Sequence, residues 1–417
     1  MIEPEITERV EKRIRSLVPD MIEMQKVLCA ARAVGPENGG EGEHLKAEKL
    51  RAMVEPLQPA ECLSLDAPDS RVPSGVRPNR LYRFSGRGRG RTTVWILSHL
   101  DVVPPGDLNL WRGDPFQASV EEGWIYGRGV EDNQQAMVAS IAAVRALREE
   151  GIVPTSDVGL AFVSDEETGS RLGLGYVLEM RPDLFSTDDL ILVPDASGLE
   201  GAMIEVTEKS VLWLRFHVRG QQCHASRPDQ GRNAARAAAH MIVALDGLGE
   251  RFGRKDPLFG EIPASTFEPT KREANVPNIN TIPGEDVFYL DARVLPDYPL
   301  EEVIDAAKAL LQPIAGRFGV SLEIAAAQSV QAPPPTPVDS PIVHALKQAI
   351  ARVYGLEGEP MGIGGGTVAA LFRQRGLAAA VWSRTAETAH APNERCSIEF
   401  MTGDACVMAH LMLQEHF

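Results

Sequence analysis

The hydrophobic pattern changes character along the chain. In the first half, apolar runs alternate with helical periodicity: TTVWILSHLD, then Met137, Ile141, Val144 and Leu147 spaced along a helix ending at Gly151, then VGLAFVSDEE and LILVPDAS. Short continuous apolar runs read as strands buried on both faces, and their alternation with helices predicts a largely parallel sheet. From about Val211 the period drops to two, with Leu212, Leu214, Phe216 and Val218 alternating with Trp213, Arg215, His217 and Arg219. That is the signature of a sheet packed on one face only. A helix over NAARAAAHMIVALDGL and a second alternating strand follow, Phe288, Leu290, Ala292 and Val294 opposing Tyr289, Asp291 and Arg293.

The Pro-rich stretch QAPPPTPVDSP, residues 331 to 341, favours an extended, stiff crossing, after which HALKQAIARVYG returns to the helical pattern of the first half. The expected organisation is therefore an α/β domain built from residues 1–208 and 325–417, with an α+β domain inserted at 209–324. No internal repeat or low-complexity tract interrupts it.

Composition narrows the class. A chain of 417 residues, 44% hydrophobic and 24% charged, is long enough for two globular domains. The charged start MIEPEITERVEKRIRSLVPD reads as an amphipathic helix, not a signal peptide, and no run has the apolar length of a membrane span. Five scattered cysteines (Cys29, Cys62, Cys223, Cys396, Cys406) without C-x-x-C spacing argue against disulfides and thiolate zinc sites, so a reducing, cytoplasmic compartment is expected. A formal charge of -16 repels polyanions, and the short GRGRGR from Gly86 to Arg91 reads as a solvated turn between strands, so neither nucleic acid nor membrane is an expected partner.

Candidate chemistry gathers where strands end, the place where ligand sites form in open α/β sheets. His99 and Asp101 close VWILSH and, by the period of two, point the same way, so that one can bind a metal while the other takes the remaining ring N–H. Asp132 precedes a helix and, taken alone, reads as an N-cap. Glu166 and Glu167 are adjacent carboxylates after GLAFVSDE, a repulsive pair that a cation or a raised pKa relieves. Asp195 closes LILVPDAS, and His390 lies in ETAHAPNE. Singly each is an ordinary loop residue; together they form a donor set of nitrogen and oxygen. Such a set suits zinc, with cobalt or manganese as substitutes, and a shared carboxylate implies two ions about 3.5 to 4 Å apart.

The series SHLDVVPPG, W-x-x-x-PF at Trp111 to Phe116, YGRGVED, SDEETGS, VPDAS, CHASRPDQGRNA, NTIPGE with LDARVLP, and AHAPNE resembles the aminoacylase, acetylornithine deacetylase, succinyl-diaminopimelate desuccinylase and glutamate carboxypeptidase family of two-zinc metallohydrolases over nearly the whole chain. The resemblance implies a zinc-exopeptidase-like catalytic domain and an inserted dimerisation (lid) domain. It implies that Asp132 bridges two zinc ions, His99 and Asp195 complete one, Glu167 and His390 the other, Asp101 orients His99, and Glu166 is the general base. His224 resembles the histidine that reaches in from a partner subunit of a homodimer. Asn280 and Arg293 resemble substrate-contacting positions, although Arg293 also reads as a strand-surface ion-pair residue. In GIGGGTVAALF, Gly365, Gly366 and Thr367 offer an anion site at a helix start, or a tight turn. The chain departs from the family in reading DNQQ after Asp132, where Lys-Gly is frequent, and this bears on the substrate. The expected substrates are N-acyl amino acids or dipeptides; the rivals are a C-terminal exopeptidase and a non-catalytic dimeric scaffold.

Overall fold

A computed structural model of the chain describes residues 4–88, 92–196 and 198–414. It divides into two compact units, one of Met1–Val206, Thr336–Pro360 and Leu371–Phe417, the other of Thr207–Pro335 and Met361–Ala370.

The first unit is a mixed α/β structure whose sheet runs in the order Glu61–Ser64, Arg80–Phe84, Asp157–Val163, Thr93–His99, Leu190–Val193, Ala379–Val381, followed by Met203–Glu208 and Glu359–Ile363, of which residues 203–206 and 359–360 belong to this unit. The four central strands, from Asp157–Val163 to Ala379–Val381, run parallel. Every residue of Thr93–His99 is buried, which is why its apolar run lacks alternation: helices cover both faces. Helix Ile398–Leu413 is apolar almost all round and buried from Met401 onward, as a helix must be when it is wrapped by others. It packs on Gln134–Glu149, whose Met137, Ile141, Val144 and Leu147 face inward as the periodicity predicts. The N-terminal segment forms helix Pro4–Ser16, buried at Val10 and Ile14.

Packing under the central strands is close. Trp95 is buried, its indole N–H donating to Asp189 Oδ2 at 3.2 Å, while Asp189 Oδ1 accepts the Thr93 N–H at 2.8 Å. Gly159, on the neighbouring strand, lies under the Trp95 ring: a Cβ there would stand 2.1 Å from the ring.

The second unit has a four-stranded antiparallel sheet, ordered Thr266–Arg272, Glu285–Val294, Ser210–Arg219, Ser321–Val330. Leu214 opposes Leu290, and Phe216 opposes Phe288 with rings stacked at 4.7 Å. Leu212, Leu214, Phe216, Val218, Phe288, Leu290, Ala292 and Val294 form one buried face with helices Ala234–Ala244 and Leu300–Phe318. Each buried ring or aliphatic side chain of this kind contributes about 1.5–3 kcal/mol. The strand Ser321–Val330 pairs into this sheet and so runs past residue 324, the expected end of the inserted domain; the run Ala325–Ala327, exposed on both faces, breaks the alternation that would have marked it.

Within the arginine-rich turn, the Arg87 and Gly88 N–H groups donate to the Pro154 and Thr155 carbonyls at 2.8 and 2.9 Å; residues 89–91, and Ser197 at the end of VPDAS, lie outside the described residues. No helix among the described residues is long and apolar enough to cross a membrane.

Gly159→Ala should destabilise the first unit by about 1–3 kcal/mol, since a methyl group there overpacks against the indole. Thermal unfolding followed by circular dichroism measures it; an unchanged midpoint would show that Trp95 can move aside.

A candidate metal centre at the strand ends

His99 is the last residue of the central strand and is buried. Its Nδ1 lies 3.1 Å from the Asp101 carbonyl and 3.5 Å from Asp101 Oδ1, and its Nε2 lies 2.7 Å from Asp132 Oδ1. The Asp101 carboxylate has a second task. Its two oxygens accept the backbone N–H groups of Glu166 and Glu167, each at 3.0 Å, so one buried carboxylate ties the histidine to the turn that carries both glutamates.

That turn is built by Asp165, which takes φ of +65° before a single 3-10 turn, Glu166–Thr168. Its side chain holds the shape, Oδ2 accepting the Leu172 N–H at 2.8 Å and Oδ1 bonding the Thr168 hydroxyl. Behind it the buried Arg77 pairs with Glu43, Nε to Oε2 at 2.7 Å, and sets Nη1 3.5 Å from Asp165. Asp195 follows the strand Leu190–Val193 and accepts the Asn133 amide at 3.1 Å. His390 sits in the late loop with φ of +62°, its Nε2 3.1 Å from both Asp132 Oδ2 and Glu167 Oε2.

Two clusters result, His99 with Asp132 and Asp195, and Asp132 with Glu167 and His390; within each, the donor atoms lie within 4.8 Å of one another. Asp132 is common to both. It does not cap the helix Gln134–Glu149, whose N-cap position is Asn133. The donor set fits divalent cations. Glu167 Oε1 is buried without a hydrogen-bond partner, as an oxygen awaiting a cation would be. The electrostatics agree. Burial, with Asp132 adding, pushes the Asp195 carboxyl up to about 6. Burial likewise holds Glu166 well above the usual carboxylate range, opposed by His99 and reinforced by Asp195 and Glu167. His390 is raised to about 10 by its hydrogen bonds to Asp132 and Glu167; burial works against a charged His99, but the Asp132 charge, the hydrogen bonds to Asp101 and Asp132 and the nearby Glu166 charge together raise it well above the usual imidazole range. Protons stand in for positive charge the site is built to hold.

The other candidate residues lie in the second unit. His224 and Asn280 are brought together by the two-stranded ribbon Cys223–His224 with Thr281–Ile282, where Ala225 N–H donates to the Asn280 carbonyl at 2.8 Å. His224 Nδ1 accepts the Ser226 N–H at 3.1 Å, which leaves the proton of the neutral ring on Nε2. Arg293 is paired with Asp291 on its own strand face, at 2.7 and 3.1 Å, and donates to the Gly364 carbonyl at 3.1 Å. It thereby holds the glycine loop of Gly365, Gly366 and Thr367. The Thr367 N–H donates to Glu208 Oε2 at 3.1 Å, so an internal carboxylate already meets that loop. Two residues beside the metal-binding candidates, Glu131 and Glu394, were passed over in the sequence; their carboxylates bond backbone amides, which leave no mark in side-chain chemistry.

A parallel-centred α/β sheet with two carboxylate–histidine clusters at its strand ends defines a metal-dependent hydrolase. Residues 95–414 match Peptidase family M20/M25/M40, and the chain belongs to that family as a metallohydrolase. It is 36% identical over 412 residues to an uncharacterized metallohydrolase of Methanococcus maripaludis, covering 93% of this chain and 97% of the relative. It is 29% identical over 338 residues to a succinyl-diaminopimelate desuccinylase of Alkalilimnicola ehrlichii, covering 81% and 83%. Among solved structures it resembles a dinuclear metal-binding peptidase of the M20 family from Bacillus subtilis, with a TM-score of 0.67, 18% identity, and coverage of 96% and 98%.

Because the surrounding carboxylates favour the protonated form of His99 and His390, and a ligating imidazole is neutral, metal binding should release protons, and affinity should rise with pH. Calorimetric titration of metal into chelator-treated protein, repeated in buffers of different ionisation enthalpy, should report a net release of protons on binding. No buffer dependence would mean the imidazoles are not ligands.

Proposed function

We propose that this chain is an amidohydrolase with two zinc ions, cobalt or manganese being able to substitute, cleaving the amide bond of an N-acyl amino acid or a dipeptide. What carries the reading is the sharing of Asp132 between two donor clusters with Glu166 beside them. His99, Asp132 and Asp195 would hold one ion, and Asp132, Glu167 and His390 the other. When bound, such a pair supplies Lewis acidity toward the carbonyl oxygen and lowers the pKa of water toward about 7.

The protein residues divide the remaining work. Asp101 fixes the His99 tautomer and, through the Glu166 and Glu167 N–H groups, the direction of the turn. Glu166 takes a proton from the attacking water and returns it to the leaving amine; a carboxyl whose pKa is raised by burial is suited to both directions. His224, with its proton on Nε2, is a donor for the oxyanion of the tetrahedral intermediate, and in our reading it is delivered from a second copy of the chain in a homodimer paired through the second unit. Asn280, Arg293 and the loop Gly365–Thr367 are the proposed substrate contacts. The internal pairing of Arg293 with Asp291 favours a neutral or zwitterionic group there over a bare carboxylate. The desuccinylase relatives support an acyl-amino-acid substrate.

Glu166→Ala should keep the metals and lower kcat on the order of 10²–10⁴-fold; full activity on a panel of N-acyl amino acids and dipeptides would remove Glu166 from the base role. His224→Ala should also lose turnover while keeping its metal, and mixing it with Glu166→Ala should regain part of the activity through hybrid dimers. Two inactive variants that never complement would mean the site is built from one chain.

A further inference from the structure

Asp132 and His390 come from loops more than 250 residues apart, yet they must meet at one cluster, and the His390 loop is conformationally costly. Glu387, His390 and Asn393 all occupy the left-handed region, with φ of 59°, 62° and 59°. Each such non-glycine residue costs of the order of 1–2 kcal/mol and persists only where its surroundings over-determine it.

The surroundings here are two carboxylates exchanged between the loops. Glu131, the neighbour of Asp132, reaches into the His390 loop. Its Oε2 accepts the Ala386 N–H at 2.5 Å, and its Oε1 accepts the N–H groups of Thr388 at 2.7 Å and Ala389 at 3.0 Å. Glu394, from the far side of the His390 loop, reaches back. Its Oε2 accepts the Gly129 N–H at 2.9 Å and a guanidinium N–H of Arg128 at 2.6 Å, and its Oε1 accepts the N–H groups of Glu131 and Asp132, both at 3.0 Å. Both carboxylates are buried, Glu394 completely, and Arg128 is buried with it, its guanidinium over the Trp111 ring at 5.2 Å. Three of the four oxygens thus meet at least two donors each, and six of the donors are backbone N–H groups of the opposite loop, in surroundings where an unmet acceptor is costly.

We propose that Glu131 and Glu394 are positioning residues that fix the spacing of Asp132 and His390, and so set the affinity of the cluster Asp132, Glu167 and His390 for its ion. Neither offers a ligand atom to either cluster. They act in different places. Glu394 holds the Asp132 backbone itself, so both clusters depend on it; Glu131 holds the segment leading into His390, so one does.

The inference rests on the metal reading, and the test separates the two. Zinc affinities of wild type, Glu131→Gln, Glu394→Gln and a His390→Ala reference are measured by competition with a chromophoric chelator, the reference marking which affinity belongs to the His390 cluster. The amide is isosteric but presents an NH₂ to backbone donors where an oxygen accepted. Glu131→Gln should weaken the His390-cluster ion about 10–100-fold, the range for residues supporting metal ligands, and leave the other within about threefold. Glu394→Gln should weaken both. Should either glutamine variant fail to fold by circular dichroism, Glu131→Asp, which keeps the charge and shortens the arm by one methylene, is read by the same criterion. Equal weakening of both ions in the Glu131 variants, or no weakening, overturns the proposal. Wild type binding fewer than two zinc ions overturns the metal reading instead.

Discussion

Everything in the first unit turns on the crowding of acidic groups around Asp132. Its two oxygens lie 2.7 Å from His99 Nε2 and 3.1 Å from His390 Nε2, with Asp195, Glu166 and Glu167 close by in a largely buried space. Buried carboxylates cannot share such a space ionised unless positive charge is interleaved. In the metal-free protein that charge is a set of protons, which is why Asp195, Glu166 and both histidines are all displaced upward from their usual ranges. Divalent cations answer the same demand while leaving every ligand in its binding form.

The fold meets this demand by placing the donors on elements that cannot drift. His99 ends one buried parallel strand and Asp195 follows another, and the glutamate turn follows Asp157–Val163, the strand paired directly with that of His99. Where a loop must supply a ligand, it is held by carboxylates that bond backbone amides: Asp101 on the glutamate turn, Asp165 within it, Glu394 on the Asp132 loop and Glu131 on the His390 loop. Four acidic side chains that belong to neither cluster thus support the loops and turn that carry Asp132, Glu167 and His390.

Much of this was legible in the sequence because strand-end residues announce themselves. An apolar run that stops at His99 or Asp195 fixes both the element and the direction of its last side chain, and the period-two alternation of Leu212 to Val218 identified the second sheet by its buried face. The supporting carboxylates were not legible, since Glu131 beside Asp132 and Glu394 after His390 look like any surface acid until the fold brings amides to them. Asp132 read as an N-cap when taken alone, and the helix takes Asn133 at that position instead. Pairings across the chain were equally hidden: nothing near Thr367 announces Glu208, and the inclusion of Met361–Ala370 in the second unit follows from contacts that no local pattern encodes.

The most direct test of a shared carboxylate is the metal content of Asp132→Ala beside the wild type, measured by elemental analysis on folded, gel-filtered protein. Two divalent ions per chain are expected in the wild type and essentially none in the variant, because both clusters lose a ligand at once. A variant that retains one tightly held ion would contradict the bridge, and with it the two-ion site on which the proposed chemistry depends.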